Sequence, residues 1–190
     1  MPSTDSRFTQ EQRRALLDLA RASIRHGLDH GRPLPVDPET FDPALREPGA
    51  AFVTLHRAGQ LRGCIGSLEA RRPLVEEVSH HAFAAAFHDP RFPPLMRGEY
   101  PELDLELSII GPAQALQFRD EADLLRQVRP GVDGLILEEK GQRATFLPTV
   151  WESLPEPADF LAELKRKAGL PADYWSDRIR ISRYTTESFQ

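Results

Sequence analysis

From Leu103 to Ile110 the chain alternates without a break: Leu103, Leu105, Leu107 and Ile109 fall on one side, Asp104, Glu106 and Ser108 on the other. Successive side chains of an extended strand point to opposite faces, so this run specifies a strand with one apolar and one polar face. Two hairpins accompany it. Ala51 to Arg57 and Gln60 to Gly66 are β-prone runs separated by Ala58-Gly59, where glycine supplies the permissive turn position. Leu135 to Glu139 pairs with Arg143 to Leu147 around Lys140-Gly141, and Ile179 to Tyr184 is a last strand.

Helices separate these strands. Thr9 followed by Gln12 is a capping-box pattern, and Leu16, Leu17, Ala20 and Ile24 then recur at helical spacing until Gly27 is expected to stop the run. His30 to Pro48 reads as a long connection with a short helical turn. Pro73, the acidic pair Glu76-Glu77 and the apolar set Val75, Val78, Ala82, Phe83, Ala86 and Phe87 mark a helix that Asp89-Pro90 ends. Further helices are expected over Asp120 to Val128, Pro148 to Leu154 and Pro157 to Ala168, the last closed by Gly169 in a left-handed cap. Hairpins with intervening helices and no fixed repeat point to an α+β fold rather than a wound parallel sheet.

Composition narrows the function classes. A chain of 190 residues buries a real core and is expected to act as one unit. Its 17 prolines sit at element boundaries and read as punctuation. A formal net charge of -5 argues against a nucleic-acid partner, and the basic spots at Arg71-Arg72 and Arg178 to Arg183 read as solvated faces. The polar stretch Met1 to Arg14 lacks the apolar run of a secretory signal, and Ala82 to Phe87 is far shorter than the roughly 20 residues that cross a bilayer. A cytosolic protein with no membrane partner is expected. Cys64 is the single cysteine, which excludes an internal disulfide and any four-thiolate zinc or iron-sulfur site held by this chain alone.

Cys64 also carries the most pointed chemistry. Residues two apart on a strand share a face, so Arg62 and Cys64 are expected to project together while Leu61, Gly63 and Ile65 project the other way. A guanidinium beside a thiol favours the nucleophilic thiolate, and Gly63 and Gly66 permit close approach of a ligand or of another backbone. Against this stands the common behaviour of a free cysteine as a small buried hydrophobe. Asp89 and Arg91 lie on a stiff loop that ends in Pro93-Pro94, a setting that often presents functional groups, though an Asp-Pro turn with a surface ion pair is the simpler reading. Asp104 and Glu106, on one strand face about 7 Å apart, suit acid/base work if enclosed. Asp133-Gly134 reads as a turn. His80, His81 and His88 lack a ligand spacing, and Gly27 and Gly31 are expected to break the helix that would align His26 with His30, so neither a metal site nor a cofactor is expected.

The run Leu61-Arg62-Gly63-Cys64-Ile65-Gly66, preceded by Phe52-Val53-Thr54-Leu55, resembles the signature of the AMMECR family. Ala85 to Phe92, Leu105 to Ser108, Pro130 to Leu135, Phe146-Leu147-Pro148, Phe160-Leu161 and Lys167 to Leu170 resemble family segments in the family's order, so the likeness is nearly continuous from Ala51 to Leu170. It implies two lobes, each an antiparallel β-sheet with flanking helices, and a cleft between them that the Cys64 segment faces. A larger lobe of about 1–111 plus 176–190 with an inserted smaller lobe of about 112–175 fits the element pattern. The resemblance raises Glu106 and Ser108 above Asp104, and it keeps Asp133 as a candidate. It implies a link with a Memo-type protein and a radical-SAM enzyme, and it assigns no reaction. Two readings follow. In the first, Cys64 is a nucleophile toward a small organic substrate, Arg62 stabilises it and Glu106 moves a proton, with Gly63, Ile65, Gly66, Asp89, Arg91, Ser108 and Asp133 lining the site. In the second, the chain is a non-catalytic interaction module and Cys64 only packs.

Overall fold

The computed structural model describes residues 6–190, which form two compact units. The first runs up to Ile110 and takes in Glu187–Gln190, and the second is Gly111–Thr186.

The first unit opens with α1 (Gln10–His30), capped as its sequence specifies: Thr9 Oγ1 accepts from the Gln12 amide at 3.2 Å and Gln12 Oε1 accepts from the Thr9 amide at 2.9 Å. The helix does not stop at Gly27. It runs on to a left-handed cap at Gly31. At Gly27 a Cβ would lie 2.5 Å from the Phe87 ring and 2.6 Å from that of Phe83, so this glycine sets how closely α1 approaches α3 (Leu74–Phe87). Between them the proline-rich connection forms a 3-10 turn (Pro38–Thr40) and α2 (Pro43–Arg46), each capped by an aspartate. The strands β1 (Ala50–Arg57), β2 (Gln60–Gly66), β3 (Leu103–Ile110) and β8 (Thr186–Phe189) make a sheet of order β2-β1-β3-β8. Leu16, Ala20 and Ile24 of α1 and Val75, Val78 and Ala82 of α3 bury against Val53, Leu55, Leu105, Leu107 and Ile109, which leaves the Asp104, Glu106 and Ser108 side of β3 on the opposite face. β8 was not anticipated. Its four residues lack an apolar period, and its place beside β3 is fixed by contacts such as Ser188 with Ser108 at 2.8 Å.

The second unit carries β4 (Gln114–Ala115), α4 (Glu121–Gln127), β5 (Gly134–Glu139), β6 (Gln142–Phe146), α5 (Pro157–Lys167) and β7 (Arg180–Tyr184), with sheet order β4-β7-β5-β6. Its β5–β6 hairpin turns at Lys140 and Gly141, both at positive φ, as the β1–β2 hairpin does at Ala58 and Gly59. Pro148–Glu152 forms a 3-10 turn where a longer helix was expected, and Trp151 within it stacks on Phe160 with ring centroids 3.8 Å apart. Leu124, Leu135, Leu137, Leu161, Leu164 and Ile181 complete a separate core. Because β7 pairs with β5, the second unit extends past the expected boundary near 175 to Thr186.

Candidate functional site

In β2 the register slips. Gly63 lies opposite Leu55 and Leu61 opposite His56, so Arg62 is the extra residue of a bulge. This bulge re-aims the arginine. Its Nε donates to Glu99 Oε1 at 2.8 Å, and Nη2 donates to Glu99 Oε2 at 3.0 Å and to the Pro93 carbonyl at 2.9 Å. Both partners are buried, at 8 % exposure each. The expected pairing of Arg62 with Cys64 is therefore replaced by a bidentate ion pair that ties the hairpin to the 3-10 turn Arg97–Glu102. The Arg62 guanidinium, helped by the Met96 amide and Arg57, holds the Glu99 carboxyl at about 2.

Cys64 is half-buried, and its sulfur accepts from Thr54 Oγ1 at 3.2 Å. Thr54 pairs with Cys64 on one side and with Glu106 on the other, so Cys64, Thr54 and Glu106 form one row across β2, β1 and β3 on the sheet face turned from the helices. Phe52 and Ser108 occupy the next row. Glu106 is half-buried and accepts from Gln190 Nε2 at 3.2 Å, while Asp104 is exposed.

β2 is an edge strand, and Asp89 and Arg91 cover its outer backbone at Cys64. The Asp89 Oδ2 accepts the Cys64 amide at 2.9 Å, and Arg91 Nη2 reaches the Cys64 carbonyl at 3.5 Å. Asp89 is 3 % exposed and holds Arg91 through Nε at 3.0 Å, Nη2 at 2.7 Å and the backbone amide at 3.1 Å. That guanidinium, with the two amides, keeps the Asp89 carboxyl well below the usual carboxylate range. Asp89 in turn raises Arg91, and the negative charge of a Cys64 thiolate adds to the rise. Arg91 keeps 55 % of its side chain exposed, so the cation at the Cys64 carbonyl is reachable from solvent.

The two glycines of the segment serve packing. A Cβ on Gly63 would lie 2.1 Å from the Ala85 carbonyl oxygen, and one on Gly66 would lie 2.4 Å from the Ala51 carbonyl oxygen. Ile65 packs on the core of the first unit. Asp133 belongs to the second unit, is fully buried, and is held by Arg129 Nε at 3.0 Å and Nη2 at 2.6 Å. Its carbonyl accepts Trp151 Nε1 at 2.7 Å, so its surroundings are those of a structural ion. The structure thus gathers Cys64, Asp89, Arg91 and Glu106 and assigns Arg62 to Glu99. Thr54 and Glu99 were missed as participants. Thr54 was legible only through the pairing register, and no sequence signal joins Glu99 to Arg62.

Among the histidines, His81 is buried on α3 with Nε2 2.6 Å from Glu77 Oε2, and burial pushes it below the ordinary imidazole value. His26 and His30 lie on one continuous helix and stack with centroids 4.1 Å apart. Among the described residues no group of three or more His, Cys, Asp or Glu side chains could hold a metal ion, and no helix is long and apolar enough to cross a membrane.

Comparison with known proteins adds an independent line. Residues 17–189 match the AMMECR1 family model. A protein of Methanothermobacter thermautotrophicus is 34% identical over 188 residues, covering 96% of this chain and 95% of its own length. One of Thermococcus onnurineus is 35% identical, with coverage of 97% and 92%. The crystal structure of the uncharacterized protein PH0010 from Pyrococcus horikoshii superposes with a TM-score of 0.86 at 33% identity, covering 95% of this chain and 92% of that one. With the family model matched over nearly the whole chain and the fold shared, the protein belongs to the AMMECR1 family.

Proposed function

We propose that the sheet face around Cys64 binds a small organic substrate and that Cys64 attacks it as a nucleophile. The observation that carries this reading is the setting of the thiol: half-buried, hydrogen-bonded by Thr54, and flanked by an Arg91 that Asp89 holds rigidly. The Thr54 hydroxyl bonded to the sulfur and the Arg91 cation fixed at the Cys64 carbonyl are the groups a substrate at this thiol would meet. Arg91 takes the role that sequence gave to Arg62, stabilising the thiolate or an anionic group of the substrate. Glu106, in the same row, is the proton carrier of this scheme. The Memo-type protein and radical-SAM enzyme implied by the family resemblance are the proposed cellular companions, acting before or after this step in a cytosolic system.

A second reading is favoured by the glycines, whose packing roles leave no need for a ligand beside them. In it the same face grips a segment of a partner protein and Cys64 only packs. Iodoacetamide alkylation at neutral pH, followed by intact-mass measurement, tests the first reading. Arg91→Ala should slow alkylation of Cys64 roughly tenfold, as expected when a neighbouring cation is removed from a thiolate. Equal rates would remove the activated thiol. Pull-down of the companions with Cys64→Ala protein separates the readings: an intact complex with lost cellular output favours chemistry, and intact output favours the binding module.

A further inference from the structure

The first unit keeps an ionisable cluster on α3 that the chemistry proposed for Cys64 does not use. Glu77 and His81, one helical turn apart, are 2 % and 7 % exposed. Arg72 holds the Glu77 carboxylate from one side, its Nε donating to Oε1 at 2.7 Å. The other oxygen, Oε2, lies 2.6 Å from His81 Nε2 without the alignment of a hydrogen bond. His81 Nδ1 is buried as well and has no hydrogen-bond partner among the described residues.

This setting accepts a neutral imidazole and rejects a charged one. In the imidazolium both ring nitrogens are donors, so Nδ1–H would sit where no acceptor is offered, which is costly for a charged group. Neighbouring charge adds to the cost. Besides Glu77, the charged or titratable groups acting on the ring are His80 on α3 and Arg72 from the preceding loop. Arg72 already balances Glu77, so a proton on His81 places a second cation beside one carboxylate. Burial is the largest of these effects and holds His81 below the ordinary imidazole value of 6.5. Arg72 itself can move, since 44 % of its side chain is exposed. It lies in the loop 67–73, which runs from the end of β2 to the start of α3. Two backbone bonds close the ends of that loop: the Ser67 amide donates to the Ala51 carbonyl at 3.1 Å, and the Gly49 amide donates to the Arg72 carbonyl at 3.2 Å.

We infer that Arg72, Glu77 and His81 form a proton-operated latch, in which neutral His81 keeps α3 closed against the loop 67–73 and proton uptake expels the ring and opens that contact. The closed form takes its proton only below 6.5 and the open form takes it at the ordinary 6.5, so closure is fully favoured above 6.5 and weakens as pH falls below it. Because the loop continues directly from β2, the latch couples proton concentration to the end of the strand that carries Cys64. It does not depend on the reactivity of that thiol.

Histidine side-chain NMR and amide hydrogen exchange on the full chain test the latch. His81 should take up its proton below 6.5. Between about pH 7.5 and about pH 5.5, the protection of the Gly49 and Ser67 amides should fall about tenfold relative to the β5 amides of the second unit, the change that a tenfold difference in proton affinity between closed and open forms produces. His81→Phe should abolish this dependence, whereas His80→Gln, at an exposed position, should keep it. Should His81→Phe fail to fold, Arg72→Gln serves instead: removing that cation should move proton uptake by His81, and with it the loss of protection, to higher pH. Proton uptake by wild-type His81 at or above 6.5, protection at Gly49 and Ser67 that does not fall, or a fall that persists in His81→Phe would each overturn the proposal.

Discussion

Gly63 shows how one residue can be indispensable beside a functional position without taking part in function. Its Cα faces the Ala85 carbonyl of α3 so closely that an added Cβ would lie 2.1 Å from the oxygen, and that oxygen is backbone that cannot swing aside. Gly63→Ala must push α3 off the sheet, and we expect it to lower stability by roughly 1–3 kcal/mol, the range of overpacking in a closed interior. Cys64→Ala, one residue on and half-buried, should change stability by less than about 1 kcal/mol. Urea unfolding of the two variants checks the contrast. A Gly63→Ala protein as stable as wild type would mean that the helix retreats at little cost. The pair also separates two meanings of a motif: in the segment Leu61 to Gly66, Gly63 answers to α3 and Gly66 to β1, while the thiol answers to the open face.

At the scale of elements, what was legible in the sequence follows from range. β3 was readable to the residue because its alternation is a local consequence of one buried face. Both hairpins were readable because a glycine at positive φ is a local demand of a tight turn. The bulge at Arg62 was not, since it arises from the register of two strands, and its partner Glu99 lies on a 3-10 turn whose position relative to β2 only folding decides. Gly27 misled for a related reason: propensity marks it as a stop, while tertiary packing against Phe83 and Phe87 makes it a contact. The Arg62 and Glu99 link between these elements has a pH signature. The folded Glu99 value of about 2 lies below its ordinary 4.5, so the stabilisation is complete above about 4.5 and is lost as pH falls through about 2. Glu99→Gln leaves a buried guanidinium without its charge partner and should cost about 3 kcal/mol at neutral pH. The gap between wild type and variant should then narrow as acid protonates Glu99 in the wild type. Urea midpoints measured from neutral pH down to about pH 2 decide this, and a gap that stays constant would refute the assignment.

The whole molecule is one chain folded into two cores. The chain leaves the first unit after Ile110 and returns at Glu187 to lay β8 beside β3, so two chain crossings join the units. The Gly111 amide donates to the Thr185 carbonyl at 2.8 Å, which brings the outgoing and returning segments together. Both tryptophans, Trp151 and Trp175, lie in the second unit, whereas the two longest helices, α1 and α3, lie in the first. Tryptophan fluorescence therefore follows the second core and far-ultraviolet dichroism is weighted to the first. If each core is its own cooperative block, Gly63→Ala should move the dichroism midpoint to lower urea and leave the fluorescence midpoint where it is, because the substitution strains a contact confined to the first unit. Coincident shifts of both probes would instead show that the cores unfold as one. In that case a change at Cys64 would reach the second core through global stability, and any binding measured there would have to be compared between variants at matched fractions folded.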